Sequence, residues 1–137
     1  MHLPIPLSRR AFLRSTAAAF VVLGGVRPGR VARQGEHPDP RPGVDGSKVL
    51  TAEQLADSPD LIPLYDGIRE IPHIADGIRC QCGCAPIPAY RSLLVCFEEG
   101  GMALHCQVCE TEGRMVVRLH RQGRTLDQIR AAIDARF

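Results

Sequence analysis

Tryptophan is absent from the 137-residue chain, and aromatic residues make up only 4% of it, with Phe12 and Phe20 among the few and both near the N-terminus. So little bulky apolar surface builds a thin core, and a small domain with a thin core needs staples or a bound ion. Long apolar runs are missing too. Ala17 to Val26 gives about ten residues, well short of the roughly 20 that a membrane-spanning helix requires. No acidic residue precedes Glu36, whereas Arg9, Arg10, Arg14, Arg27, Arg30 and Arg33 all do. The formal net charge of +2 therefore joins a basic leader to an acidic remainder, which from position 34 carries eleven basic against fifteen acidic residues. The basic excess belongs to the leader and gives no support for a nucleic-acid partner, which would want a basic stripe on the folded part. The sequence holds no Ser-His-Asp arrangement, no phosphate-binding glycine loop and no haem-attachment Cys-x-x-Cys-His, since Glu110 follows Cys109. Asp66, Glu70 and Asp76 lack the spacing of paired acid–base carboxylates. Hydrolase and kinase chemistry find no support, and no catalytic residue is assigned.

What is present begins with a leader. Ser8-Arg9-Arg10-Ala11-Phe12-Leu13-Arg14 matches all six specified positions of the twin-arginine export motif, and the short apolar run from Ala17 follows it as a signal core would. Residues 1–27 are read as this signal, which predicts export to the periplasm or another extracytoplasmic space. No clean Ala-x-Ala follows the run, so an uncleaved leader would tether the domain to the membrane. The twin-arginine route carries folded proteins, so thiols could receive a metal before meeting an oxidising compartment.

Residues 28–46 carry Pro28, Pro38, Pro40 and Pro42 with Gly29, Gly35, Gly43 and Gly46 and few large apolar side chains. Such a segment is expected to be a flexible linker. The domain then spans 47–137 and is expected to be mainly α. Thr51 with Gln54 predicts a capping box and a short helix to Asp57, Pro63 opens a helix through Arg69, and Pro72 marks one spanning Ile71 to Arg79. Ala89 to Glu98 is expected to be helical, with Leu93, Leu94 and Phe97 on its apolar face and Gly100-Gly101 ending it. The longest helix is expected from Cys106 to Gln122, with Gly123 just past its end, and Thr125 with Gln128 caps a last one bearing Leu126, Ile129, Ile133 and Phe137. No alternating strand pattern is convincing.

Six cysteines fall within 30 residues, at 80, 82, 84, 96, 106 and 109. Cys80-Gln81-Cys82-Gly83-Cys84 sets three sulfurs at alternate positions, and Gly83 permits a tight turn that wraps the backbone around a shared centre. Cys106-Gln107-Val108-Cys109 places a Cys-x-x-Cys pair at a helix start, where the dipole favours thiolate. His105 adds an imidazole beside it, and Cys96 faces either the core or the site. Three readings compete. The leading one takes Cys80, Cys82, Cys84, Cys96, His105, Cys106 and Cys109 as ligands for a soft transition metal, copper or zinc before a small cluster. The Cys-x-Cys-x-Cys half does not fit a standard zinc ribbon. In the second, Cys106 attacks and Cys109 resolves in thiol–disulfide exchange with an exported partner, although the βαβ context of thioredoxin-like folds is missing. In the third, three disulfides in one of fifteen connectivities staple a non-catalytic module. His37 in the linker, His73 and His120 read as ordinary surface, and Tyr65, Tyr90 and Phe137 as core.

The stretches Cys80 to Cys84, Ser92-Leu93-Leu94-Val95-Cys96-Phe97 and His105-Cys106-Gln107-Val108-Cys109-Glu110, with the tail from Gly123 to Phe137, resemble the small exported bacterial proteins named for a PCYCGC or CYCXC motif. Gln81 stands where that family has Tyr, and Arg79 where one branch has Pro. The resemblance implies an exported Cys-rich domain without naming a reaction. Selenocysteine in the motif of some members gives weight to the redox reading.

Overall fold

The computed structural model describes residues 35–137. The leader expected over 1–27 and the first part of the linker, 28–34, lie outside the described residues. Helix α1 spans Ile62–Glu70, α2 Pro72–Asp76, α3 Leu93–Cys96, α4 Gln107–Arg121 and α5 Leu126–Arg136, with single 3-10 turns at Pro59–Leu61 and Pro88–Tyr90. No strand forms among the described residues. Val49 and Glu98 make one isolated antiparallel bridge. The domain is mainly α.

Local chemistry explains where the helices begin and end. Thr125 accepts from the Gln128 backbone and Gln128 returns the bond, so α5 starts at the expected capping box. Helix α4 ends where expected: the N–H of Gly123 donates to His120 and that of Arg124 to Leu119, while Gly123 takes a φ of +77°. That pairing satisfies two carbonyls the helix leaves open. Proline opens α1 and α2 within their first two positions, as its fixed φ and missing N–H allow.

Three expected helices are shorter or absent. Thr51 and Gln54 exchange their capping bonds, yet residues 52–57 form turns rather than a helix. Ser58 precedes Pro59 and adopts φ −141°, which ends the helical path before it can propagate. Helix α2 stops at Asp76, short of Arg79. The helix expected over Ala89 to Glu98 is broken at Ser92, which is extended because its hydroxyl donates to Asp76 and the following Leu93 N–H donates to the Ile78 carbonyl.

Helices α1 and α4 pack face to face, α5 lies against α4, and α2 lies against α3. Tyr65 and Phe97 meet edge to face with centroids 4.9 Å apart at the centre of the core. Gly113 lets α4 come this close, because a Cβ there would meet Phe97 at 2.6 Å. Cys80, Cys96 and Cys109 belong to the same buried set as Leu93, Leu94, Val116 and Ile129. The thin core expected from composition is therefore completed by sulfur.

The linker expectation is corrected over 35–46. His37 accepts a hydrogen bond from the Arg79 backbone N–H at 2.9 Å and faces Asp134 at 3.2 Å. Arg91 donates to the Asp39 carbonyl and Arg130 to the Pro38 carbonyl. Arg41 binds the buried Asp76 carboxylate through its backbone N–H and both arms of its guanidinium. Polar bonds hold this strap where apolar burial does not, and its prolines reduce the entropy lost on ordering.

Candidate metal centre

Three segments deliver the sulfurs. The loop after α2 carries Cys80, Cys82 and Cys84 through consecutive turns, and Gly83 sits at φ +86°, where a side chain would be strained. Across that turn Cys82 stays in contact with the thiols of both Cys80 and Cys84. Cys96 is the last residue of α3 and is anchored in the core. Cys106 is the N-cap of α4 and Cys109 lies one turn in, so both point toward the loop from the positive end of a 15-residue helix.

The sulfurs of Cys80, Cys96 and Cys109 all lie within 4.8 Å of one another, and all three residues are buried. Cys80 and Cys109 are 3.5 Å apart. A second trio, Cys82, Cys106 and Cys109, meets the same limit, with Cys82 and Cys106 only half-buried. Cys109 is common to both. Cys84 and His105 belong to neither, and His105 is exposed. All six cysteines are free thiols in this structure.

The electrostatics divide the cluster. Cys80 titrates above the ordinary thiol range, first because of its hydrogen bond with Cys109 and then through burial. For Cys96 the bond with Cys109 lowers the value, but the bond with Cys80 and burial override it upward. Cys109 is likewise lowered by its bond with Cys80, then raised further by Cys96 and burial. Burial also acts upward on Cys82, yet the Cys84 backbone and the thiols of Cys80, Cys84 and Cys109 hold it below the usual value. Cys84 is raised by its bond with Cys82. The inner thiols are neutral and poorly nucleophilic when free. A cation that displaces their protons supplies the charge partner that buried thiolates need.

Glu112 was missed by sequence reasoning, which placed it among acids at a helix start. It is fully buried, one carboxylate oxygen accepts from the Gln81 N–H at 3.0 Å, and the other has no hydrogen-bond partner. Burial pushes its pKa up to about 7. A signal existed: Cys109, Glu112, Gly113, Val116 and Val117 repeat at helical spacing and form one buried face. Asp76 and His37 were also read as unremarkable, since their partners are far away in sequence.

Soft thiolates without hard oxygen donors suit copper(I), zinc or an iron–sulfur group. These clustered cysteines are able to hold a metal ion. Compared with protein-family models, curated proteins and solved structures, the chain matches none.

Proposed function

We propose that this chain is an exported, cysteine-rich protein that binds a soft transition metal, copper or zinc, through clustered thiolates, and that it passes the metal to or from a partner outside the cytoplasm. The observation that carries this reading is the convergence on Cys109 of four further sulfurs from three separate segments. Sulfurs gathered this closely repel one another once ionised unless a cation lies between them. The export assignment rests on the Arg9-Arg10 motif, and the family assignment on the resemblance of the cysteine pattern to the PCYCGC and CYCXC proteins. No helix among the described residues is long and apolar enough to cross a membrane.

Thiol–disulfide exchange is the second reading. It is favoured by the half-buried Cys106 at the N-cap of α4, with the Cys109 sulfur within 4.8 Å. Elemental analysis of protein purified anaerobically, without added metal or chelator, separates the two. Near-stoichiometric copper, zinc or iron that is lost when Cys82 and Cys109 are both replaced by Ser is the expected result. A metal-free protein with a reversible Cys106–Cys109 dithiol would transfer the assignment to redox exchange.

A further inference from the structure

We propose that the cluster binds two copper(I) ions that share the Cys109 thiolate as a bridge, one in a closed inner site and one in an outer site through which copper exchanges with a partner. This rests on the soft-metal reading of the same sulfurs and deepens it by naming the ion, the number and the route.

The donor count decides the ion. Two three-coordinate ions with one shared ligand need five donors, and the structure gathers five sulfurs in two trios joined at one residue. Two tetrahedral zinc ions sharing one ligand need seven. Cys84 and His105 are the residues that would have to make up the number, and neither lies in either trio. Every donor is sulfur, which suits copper(I) as it does zinc, and the three-sulfur count is what favours copper(I) between them.

Geometry agrees with the count. With metal–sulfur bonds of about 2.3 Å, three sulfurs in a plane around one ion stand roughly 4 Å apart. The inner trio is compatible with such a triangle: Cys80 and Cys109 stand 3.5 Å apart and no pair of its sulfurs exceeds 4.8 Å.

The two sites differ in access. Cys80, Cys96 and Cys109 are buried in the core, so an ion there has no direct contact with solvent and exchanges slowly, through the outer position. Cys82 sits on the turn at Gly83 and Cys106 at the N-cap of α4, both half-exposed, and a partner thiol reaches the outer ion from solvent. Cys109 belongs to both triangles, so its thiolate carries an ion from outer to inner position by exchanging its companions. The positive end of α4 stabilises the anionic cluster. Binding forms copper–sulfur bonds, five S–H bonds break, the protons go to solvent and no electron moves.

The test uses the full chain, reduced and anaerobic, titrated with copper(I) against a chromophoric copper(I) chelator, with native mass spectrometry counting ions and X-ray absorption reading the coordination. Two coppers per chain, three sulfurs around each and a short copper–copper vector are expected. Cys82→Ser and Cys106→Ser alter half-exposed positions and keep the fold, and each is expected to leave one copper that the chelator removes only slowly. Cys84→Ser is expected to retain two. Saturation at one copper, or loss of an ion in Cys84→Ser, would overturn the shared-bridge pair while the soft-metal reading stands. One tetrahedral zinc per chain, bound in preference to copper(I), would also overturn the pair and leave that reading intact. No binding of copper(I) or zinc would overturn both.

Discussion

Two buried polar centres meet the two ends of the short helix α3, Asp76 at Ser92 and the sulfurs at Cys96, and they are built on opposite principles. Around Asp76 every acceptor is taken: Arg41 and Arg91 reach both carboxylate oxygens, and the Ser92 hydroxyl donates to one of them. Burial alone would raise this carboxyl, but those donors hold it at about 2. At the cysteine cluster the sulfurs have mostly one another, and the adjoining Glu112 keeps an oxygen unpartnered. A satisfied centre has nothing left to offer a ligand, so Asp76 is structural. An under-partnered one has capacity, and the cluster is where chemistry is to be sought.

The comparison is broken most severely by removing Asp76. Asp76→Ala removes the shared partner of Arg41, Arg91 and the buried Ser92 hydroxyl and releases the strap at 37–41, at an expected cost of about 3 kcal/mol. A calorimetric melt should record a fall of more than about 10 °C at about 4–8 °C per kcal/mol. Metal bound per folded chain should not change, and its loss would show that the two centres are not separable.

Acid sharpens the same contrast. Because the folded Asp76 titrates near 2 instead of 3.8, its contribution is complete above about pH 4 and disappears as the pH falls through 2. The shift corresponds to about 2 kcal/mol. Urea melts of the wild type across that range should lose this amount, and melts of Asp76→Asn should lose far less of it.

The smallest effect tests the link between the centres. His37 accepts the N–H of Arg79, the residue before Cys80, so the strap steadies the loop that carries half the sulfurs. His37→Ala should cost about 1 kcal/mol. Faster amide exchange at Arg79 and Cys80 than at Val116 would place that loss at the loop, and uniform exchange would deny the connection.

How much of this was legible in the sequence depended on the range of the interaction. Helices α4 and α5 were read to within a residue or two, because Gly123 and the Thr125–Gln128 pair fix their ends by local bonds. The 51–57 and 89–98 segments misled for the same reason: a capping pair and an apolar face are local signals. Ser58 before Pro59 stopped the first segment, and the pull of Asp76 on Ser92 broke the second. The strap escaped notice because its bonds span 35 residues from Arg41 to Asp76 and 42 from His37 to Arg79. Composition registers only its lack of apolar surface.

By itself the sequence determined a helical chain with a dense run of thiols, since helix ends and cysteine spacing are properties of neighbouring residues. Tertiary structure decided which thiols meet. Only the packing of α3 and the N-terminus of α4 against the 80–84 loop brings Cys96 and Cys109 onto Cys80, keeps Cys84 out of both trios and leaves His105 exposed. Sulfur–sulfur distance and burial belong to the packed chain, and those two quantities set what the cluster is able to bind.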